Sequence, residues 1–159
     1  PQVVDAVKIP VIAAGGIADG RQMAAAFILG ACGVQVGTRF LVANECTVSN
    51  EYKKRVLKAN DLSTIVTGRS INGAVRCLKT PFSQKFLRAE KEGATAEELG
   101  KMGAGSLRKA AKDGNYEEGS FMCGEVAGMV KKEQSAAEIV DDLMQGCEEA
   151  LKGATKWLA

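Results

Sequence analysis

The chain has 159 residues, a length typical of one domain, and its 46% hydrophobic and 25% charged residues are ordinary globular values that exclude a disordered tail, a collagen-like fibre or a coiled coil. Its net charge of +2, from 21 basic and 19 acidic residues, argues against nucleic acid as a partner. The longest apolar stretches, 11–14 and 24–29, fall far short of the roughly 20 residues that a membrane helix needs, so no membrane association is expected.

Histidine is absent, which excludes Ser-His-Asp and Cys-His nucleophilic sites, histidine-ligated metals and histidine general bases within this chain. No two cysteines form a C-x-x-C pair, so we predict no zinc or other metal site. An odd number of widely spaced cysteines is typical of reduced thiols in a cytoplasmic protein; they are Cys32, Cys46, Cys77, Cys123 and Cys147.

A strand, a helix and a second strand are predicted near the beginning of the chain. The apolar run Val11–Ala14, ended by two glycines, is typical of a strand buried on both faces of a parallel sheet. Asp19 can cap a helix over Gly20–Leu29, which Gly30 would end. Gly33–Gly37 alternates and is predicted to be the second strand. The three segments make a βαβ unit with parallel strands.

The rest of the chain is predicted to be mostly helical. Helices are expected over 48–58 and 82–91, with a short strand at 63–67 between them. Capping-box spacings at Thr95 and Ser135 each open a further helix. Glycines should break the helix after Thr95; they are Gly100, Gly103 and Gly105. The last helix should carry one apolar face, made of Ile139, Val140, Leu143, Met144, Cys147 and Leu151.

The chain is therefore expected to divide into an α/β scaffold and an insertion. Residues 1–43 and 120–159 are assigned to the scaffold, the second of these with a closing helix. Residues 44–119 are assigned to a small, mostly helical insertion.

Two glycine-containing turns follow the two predicted strands. They are Gly15-Gly16 and Gly37-Thr38. If the strands are parallel neighbours, both turns lie at one edge of the sheet, where backbone N–H groups, the Thr38 hydroxyl and the positive end of a helix can hold an anion. The sequence lacks G-x-G-x-x-G, which favours a mononucleotide phosphate on a (β/α)₈ barrel over a dinucleotide. The alternative is that these glycines only make tight turns.

The sequence resembles the flavin-dependent nitronate monooxygenase and enoyl-acyl-carrier-protein reductase II family. The resemblance rests on IPVIAAGGIADGRQMAAAFILGACGVQVGTRF, GRSINGAVRCLKTPFSQKFLRAEKEG and GSFMCGEVAGMVKKEQSAAEIVDDLM, and covers almost the whole chain. It implies an α/β fold, the C-terminal part of a (β/α)₈ TIM barrel. It also implies that FMN binds at the open end of the barrel, with its phosphate held by Gly15, Gly16, Gly37 and Thr38.

The same resemblance implies that part of the protein lies outside this sequence, which begins at Pro1 without Met. A TIM barrel has eight strands and typically about 250 residues, whereas two barrel strands are predicted here. The expected partners are therefore the N-terminal portion of the same barrel, which would carry the catalytic histidine upstream of Pro1, and a second copy in a homodimer.

The later segments favour the enoyl reductase branch of the family. The expected function is the reduction of an enoyl-acyl-carrier-protein or enoyl-CoA double bond, with FMN and with NADH or NADPH as hydride source. The insertion would supply an apolar groove from side chains such as Val66, Leu78, Phe82 and Phe86. The alternatives are a nitronate monooxygenase, with oxygen as oxidant, and a non-enzymatic phosphate-binding or interaction module.

Other side chains have two possible roles each. Arg39 would contact a phosphate or close a surface ion pair, and the basic run 53–58 would dock an acidic carrier protein or form a solvated helix face. Arg69 and Arg76 are candidates for the phosphates of a nicotinamide cofactor. Glu125 would line the site or make a structural hydrogen bond. Cys123 has no base or cation near it in sequence and is not proposed as a nucleophile.

Overall fold

The computed structural model describes residues 1–157 and has an α/β fold. Its α-helices are α1 Gln2–Ala6, α2 Gly20–Ile28, α3 Asn50–Leu57, α4 Pro81–Lys91, α5 Ala96–Gly103, α6 Ser106–Ala111 and α7 Ala136–Ala154. Its strands are β1 Ile12–Ala14, β2 Gly33–Gln35, β3 Thr64–Thr67 and β4 Val75–Leu78. No helix within residues 1–157 has the combined length and apolar character of a membrane span.

The described residues form two compact units. Unit 1 comprises residues 1–45 and those from 133 onward, and unit 2 comprises residues 46–132. The boundary near the carboxyl end differs from the expected one, because residues 120–132 pack in unit 2. The amide of Leu78 donates to the carbonyl of Phe121 at 2.8 Å, and Met122 forms a bridge with Cys77, so this segment extends the small sheet of unit 2.

Unit 1 contains the predicted strand–helix–strand unit. Strands β1 and β2 pair in parallel, with Ile12 opposite Gly33 and Ala14 opposite Gln35. The side chain of Asp19 accepts hydrogen bonds from the first backbone amides of α2, which confirms the predicted cap. Gly30, at φ +98°, ends the helix in the left-handed conformation that favours glycine.

Strand β1 is largely exposed among the described residues, so the burial on both faces that is expected of it within a complete barrel is not seen here. Ile12 is 62% exposed and Ala14 is also exposed. A parallel strand is buried when further strands and helices cover it, and unit 1 provides a sheet of two strands.

Helix α7 packs directly against α2. A Cβ atom added to Gly20 would lie 2.2 Å from the backbone nitrogen of Cys147, so the backbone of α7 approaches α2 at a position where α2 cannot carry a side chain. One edge of the predicted apolar face of α7 is buried, at Ile139, Leu143 and Cys147. The other edge is not, since Met144 is 55% exposed.

Unit 2 is built on an antiparallel hairpin that the sequence reasoning only half predicted. Strand β3 was expected, whereas β4, which pairs with it from Thr64–Leu78 to Thr67–Val75, was missed. The signal was Asn72-Gly73, a dipeptide typical of hairpin turns, and Asn72 has a positive φ of 55°. In the core of the unit the Tyr52 and Phe121 rings meet edge to face at 4.9 Å, and the Tyr52 hydroxyl donates to the Met122 carbonyl at 2.5 Å.

Both predicted capping boxes are present, one in each unit. Thr95 and its N3 residue Glu98 form the expected capping box at α5, and Ser135 forms the other at α7 in unit 1. Helix α5 continues through Gly100 and ends at Gly103, and α6 begins after Gly105, which has a φ of +72°. The predicted break therefore occurs, between Gly103 and Gly105.

Candidate phosphate-binding site

The two glycine turns leave the same edge of the parallel pair. Because Ala14 lies opposite Gln35 in a parallel register, β1 and β2 end together. Gly15-Gly16 follows the end of β1, and Gly37-Thr38 follows β2 after one further residue. The backbone topology therefore brings all four predicted residues to the carboxyl edge of the sheet, the edge at which α/β proteins bind phosphates.

The first turn has a backbone shape that requires glycine. Gly15 and Gly16 have φ values of +92° and +71°, and both are exposed. A Cβ atom at either position would meet no other atom within 4 Å. These glycines are therefore needed for the turn conformation and not for packing, and their backbone can be approached closely by a ligand.

The second turn opens a short 3₁₀ helix, Thr38–Val42. The carbonyl of Gly37 accepts from the amide of Phe40 at 2.9 Å. Gly37 has an ordinary φ of −110°, and a Cβ atom there would also meet nothing within 4 Å. Gly37 therefore shares the open space of Gly15 and Gly16 but not their left-handed backbone conformation.

The positive end of α2 is already occupied. The carboxylate of Asp19 accepts from the amides of Arg21 and Gln22, at 2.9 and 3.3 Å, and pairs with the Arg21 guanidinium. Partial burial opposes ionisation, but these hydrogen bonds outweigh it and hold the pKa of Asp19 below its usual range. At α2 this helix end is therefore taken by the Asp19 carboxylate, and the candidate cradle is limited to the two turns.

Arg39 faces the interior of unit 1. It is only 6% exposed, and its guanidinium donates to the side chain of Gln134, which in turn donates to Asp142 at 2.9 Å. Burial lowers the pKa of Arg39, and the Asp142 carboxylate opposes this effect. Arg39 therefore joins the second turn to the segment that begins α7, and it does so from a buried position and not from the surface.

Two of the polar candidates of unit 2, Arg76 and Glu125, lie close to each other. Arg76 donates to the hydroxyl of Thr64 at 2.8 Å and lies 3.5 Å from the carboxylate of Glu125. Arg69, in contrast, is exposed at the hairpin loop. Burial raises the pKa of Cys123 to about 12, so this thiol stays protonated at neutral pH, in agreement with its exclusion as a nucleophile.

The apolar groove expected in the insertion is partly closed. Leu78 and Phe86 are 4% and 8% exposed and belong to the core of unit 2. Val66 and Phe82 remain half-buried, and the Phe82 ring lies 6.0 Å from that of Phe86. Only these two of the four proposed side chains are accessible from the surface of the unit.

The sequence reasoning missed a carboxylate that holds the hairpin loop. Glu90, on α4, accepts from the amides of Gly68 and Ser70 at 2.8 and 3.1 Å and from the Ser70 hydroxyl at 2.8 Å. Slight burial opposes ionisation, but these hydrogen bonds lower the pKa of Glu90. No local sequence pattern predicts this contact, because the partners are 20 residues or more apart in sequence. Within residues 1–157 no three cysteine or carboxylate side chains are grouped so as to hold a metal ion.

A parallel strand–helix–strand unit with two glycine turns at its carboxyl edge defines a class of α/β proteins that bind phosphorylated ligands there. Within that class, the sequence model of the nitronate monooxygenase family matches residues 1–146, and the chain belongs to this family.

Solved structures agree with this assignment. FabK from Thermotoga maritima has a TM-score of 0.94 and 42% identity over 98% of this chain and 50% of its own. A nitroalkane oxidase from Streptomyces ansochromogenes has a TM-score of 0.77 and 30% identity over 96% of this chain and 43% of its own. The fold is thus that of about half a TIM-barrel enzyme.

A curated relative is named as a nitronate monooxygenase and not as an enoyl reductase. The probable nitronate monooxygenase of Staphylococcus saprophyticus is 30% identical over 151 residues, which are 95% of this chain and 42% of the relative. The chain therefore spans about half the length of the relatives it matches.

Proposed function

We propose that the chain is part of an FMN-dependent enoyl-acyl-carrier-protein reductase that uses NADH or NADPH. The observation that carries the proposal is the likeness to FabK, at a TM-score of 0.94 and 42% identity, against 0.77 and 30% for the nitroalkane oxidase. The substrate would be an enoyl thioester on a carrier protein or on coenzyme A, in the cytoplasm.

The two glycine turns fit the phosphate of FMN. Open space above Gly15, Gly16 and Gly37 lets a phosphate approach the backbone, and Thr38 supplies a hydroxyl at the same sheet edge. When bound, FMN would supply the hydride-transfer chemistry between a nicotinamide and the enoyl double bond. The role of this chain's residues would be to bind and orient the phosphate end of the cofactor.

The remaining parts of the proposal concern the surroundings of the site. Residues 46–132 would form the cap over the substrate, which corresponds to the insertion inferred from sequence. The N-terminal portion of the barrel, with its histidine, would complete the active site, and the enzyme would be a homodimer.

A nitronate monooxygenase is the second candidate. It is favoured by the description of the matching family and by the name of the Staphylococcus saprophyticus relative. Both candidates would hold FMN at the same residues, so flavin content alone does not separate them.

Steady-state turnover of the full-length protein tests the proposal. NADH or NADPH oxidation should be fast only when a crotonyl or longer enoyl thioester is present. Deletion of residues 46–132 should abolish thioester turnover and leave flavin partly bound. Oxygen consumption with an alkyl nitronate, without any thioester-dependent oxidation of NAD(P)H, would contradict the proposal.

A further inference from the structure

A groove of about 420 Å³ opens on unit 2 where α3 ends. Its lining includes three cationic side chains, Arg55, Lys58 and Lys79, together with Leu62 and Ser63. No aspartate or glutamate is among the described residues that line it. The groove therefore has the positive charge that an acidic partner would require.

The basic run of α3 does not act as one surface. Lys53 is buried at 7% exposure, and Arg55 lies over the Tyr116 ring at 3.3 Å and pairs with Glu51 at 2.6 Å. Lys58 is exposed, as is Lys79. Among the described residues no carboxylate lies within ion-pair distance of either lysine. The uncompensated charge of the groove thus comes from Lys58 and Lys79.

An exposed leucine shares the lining of the groove with these two lysines. Leu62 is 74% exposed, and its amide donates to the Asn60 side chain at 3.0 Å. The hydroxyl of Ser63 donates to the same Asn60 oxygen at 2.9 Å, and the Ser63 carbonyl accepts from the amide of Lys79 at 2.8 Å. These hydrogen bonds hold the backbone on both sides of Leu62, whose side chain is exposed to solvent.

We propose that Lys58, Leu62 and Lys79 form a docking groove for the acidic carrier protein that bears the enoyl group. This inference rests on the proposed function. A free phosphate would use the lysines but not the leucine, whereas a protein surface with carboxylates around an apolar patch would use all three. The exposed Asp61 beside the groove favours a partner whose carboxylates lie over the lysines and not over the loop.

The test separates the carrier protein from the thioester itself. In the full-length protein, the double variant Lys58→Glu/Lys79→Glu should raise the KM for the enoyl carrier protein by about tenfold or more. The same variant should leave kcat/KM for the enoyl pantetheine thioester unchanged, since that substrate has no carrier surface. Leu62→Ser should show the same selectivity. Lys112→Glu, an exposed charge reversal elsewhere on unit 2, is the matched control.

Direct binding makes the test independent of the reaction. Fluorescence anisotropy with labelled carrier protein should show weaker binding to the double variant, and binding restored by Lys58→Arg/Lys79→Arg. Equal loss with Lys112→Glu, equal loss for both thioesters, or unchanged anisotropy would overturn the docking groove. Absence of turnover with any enoyl thioester would refute the proposed function instead, and the anisotropy result would still decide the docking.

Discussion

Replacing Gly16 with valine tests the phosphate cradle. At φ +71° a residue with a Cβ atom pays a backbone cost of about 1–2 kcal/mol in stability, because the left-handed conformation crowds its side chain. The side chain would also stand in the open space through which the phosphate approaches. Loss of one hydrogen bond to a charged group costs about 1.5–3 kcal/mol. FMN affinity should therefore fall by roughly tenfold to a hundredfold or more, and the protein should be colourless.

Gly93→Val is the matched control for the backbone cost. Gly93 has φ +85°, and a Cβ atom there also meets nothing within 4 Å, but it follows α4 in unit 2, away from the two turns in the chain. Both variants should lose similar stability in a thermal melt of the apoprotein, whereas only Gly16→Val should weaken FMN binding in a flavin-fluorescence titration. Equal FMN affinity in both variants and wild type would refute the cradle.

Three other expectations follow from contacts outside the cradle. Gly20→Ala should destabilise the protein by about 1–3 kcal/mol in urea unfolding, because its Cβ would lie 2.2 Å from backbone, whereas Gly153→Ala, with nothing within 4 Å, should be neutral or stabilising. Exposed Cys32 should react with iodoacetamide at pH 8, whereas buried Cys123, with its pKa raised to about 12, should react only after unfolding, as mass spectrometry would show. The lowered pKa of Glu90 means that its stabilisation is present above the ordinary carboxyl pKa and is lost as pH falls through the folded value. Glu90→Gln should accordingly speed hydrogen exchange of the hairpin-loop amides at pH 7. The loss of protection that the wild type shows as Glu90 is protonated at acidic pH should be absent from this variant.

Local signals predicted most of the scaffold. Helix α2 begins after Asp19 and α5 begins after Thr95, because the side-chain oxygen of each cap accepts a hydrogen bond from a backbone amide only a few residues away. The parallel pairing of β1 and β2 followed from two short apolar segments around one helix. The four cradle residues were placed at one sheet edge by that topology alone.

Contacts between distant segments were beyond such reasoning. The charge of Arg39 suggested a surface position or a ligand contact. In the structure its guanidinium is buried and donates a hydrogen bond to Gln134, 95 residues away. The basic run of α3 suggested a solvated face or one docking surface, but Tyr116 covers Arg55. The unit boundary shifted from 120 to 133 because backbone hydrogen bonds tie Phe121 to β4. Each case depends on which elements meet, and sequence periodicity does not contain that information.

Anaerobic flavin reduction and reoxidation tests the central claim most directly. The full-length protein, loaded with FMN, is mixed with NADH or NADPH, and bleaching of the flavin absorbance is followed. An enoyl thioester or an alkyl nitronate is then added in separate experiments. The account predicts bleaching by NAD(P)H and recovery of the oxidised spectrum on addition of the thioester. If NAD(P)H does not bleach the flavin but the nitronate does, the result would contradict the reductase and favour the nitronate monooxygenase instead.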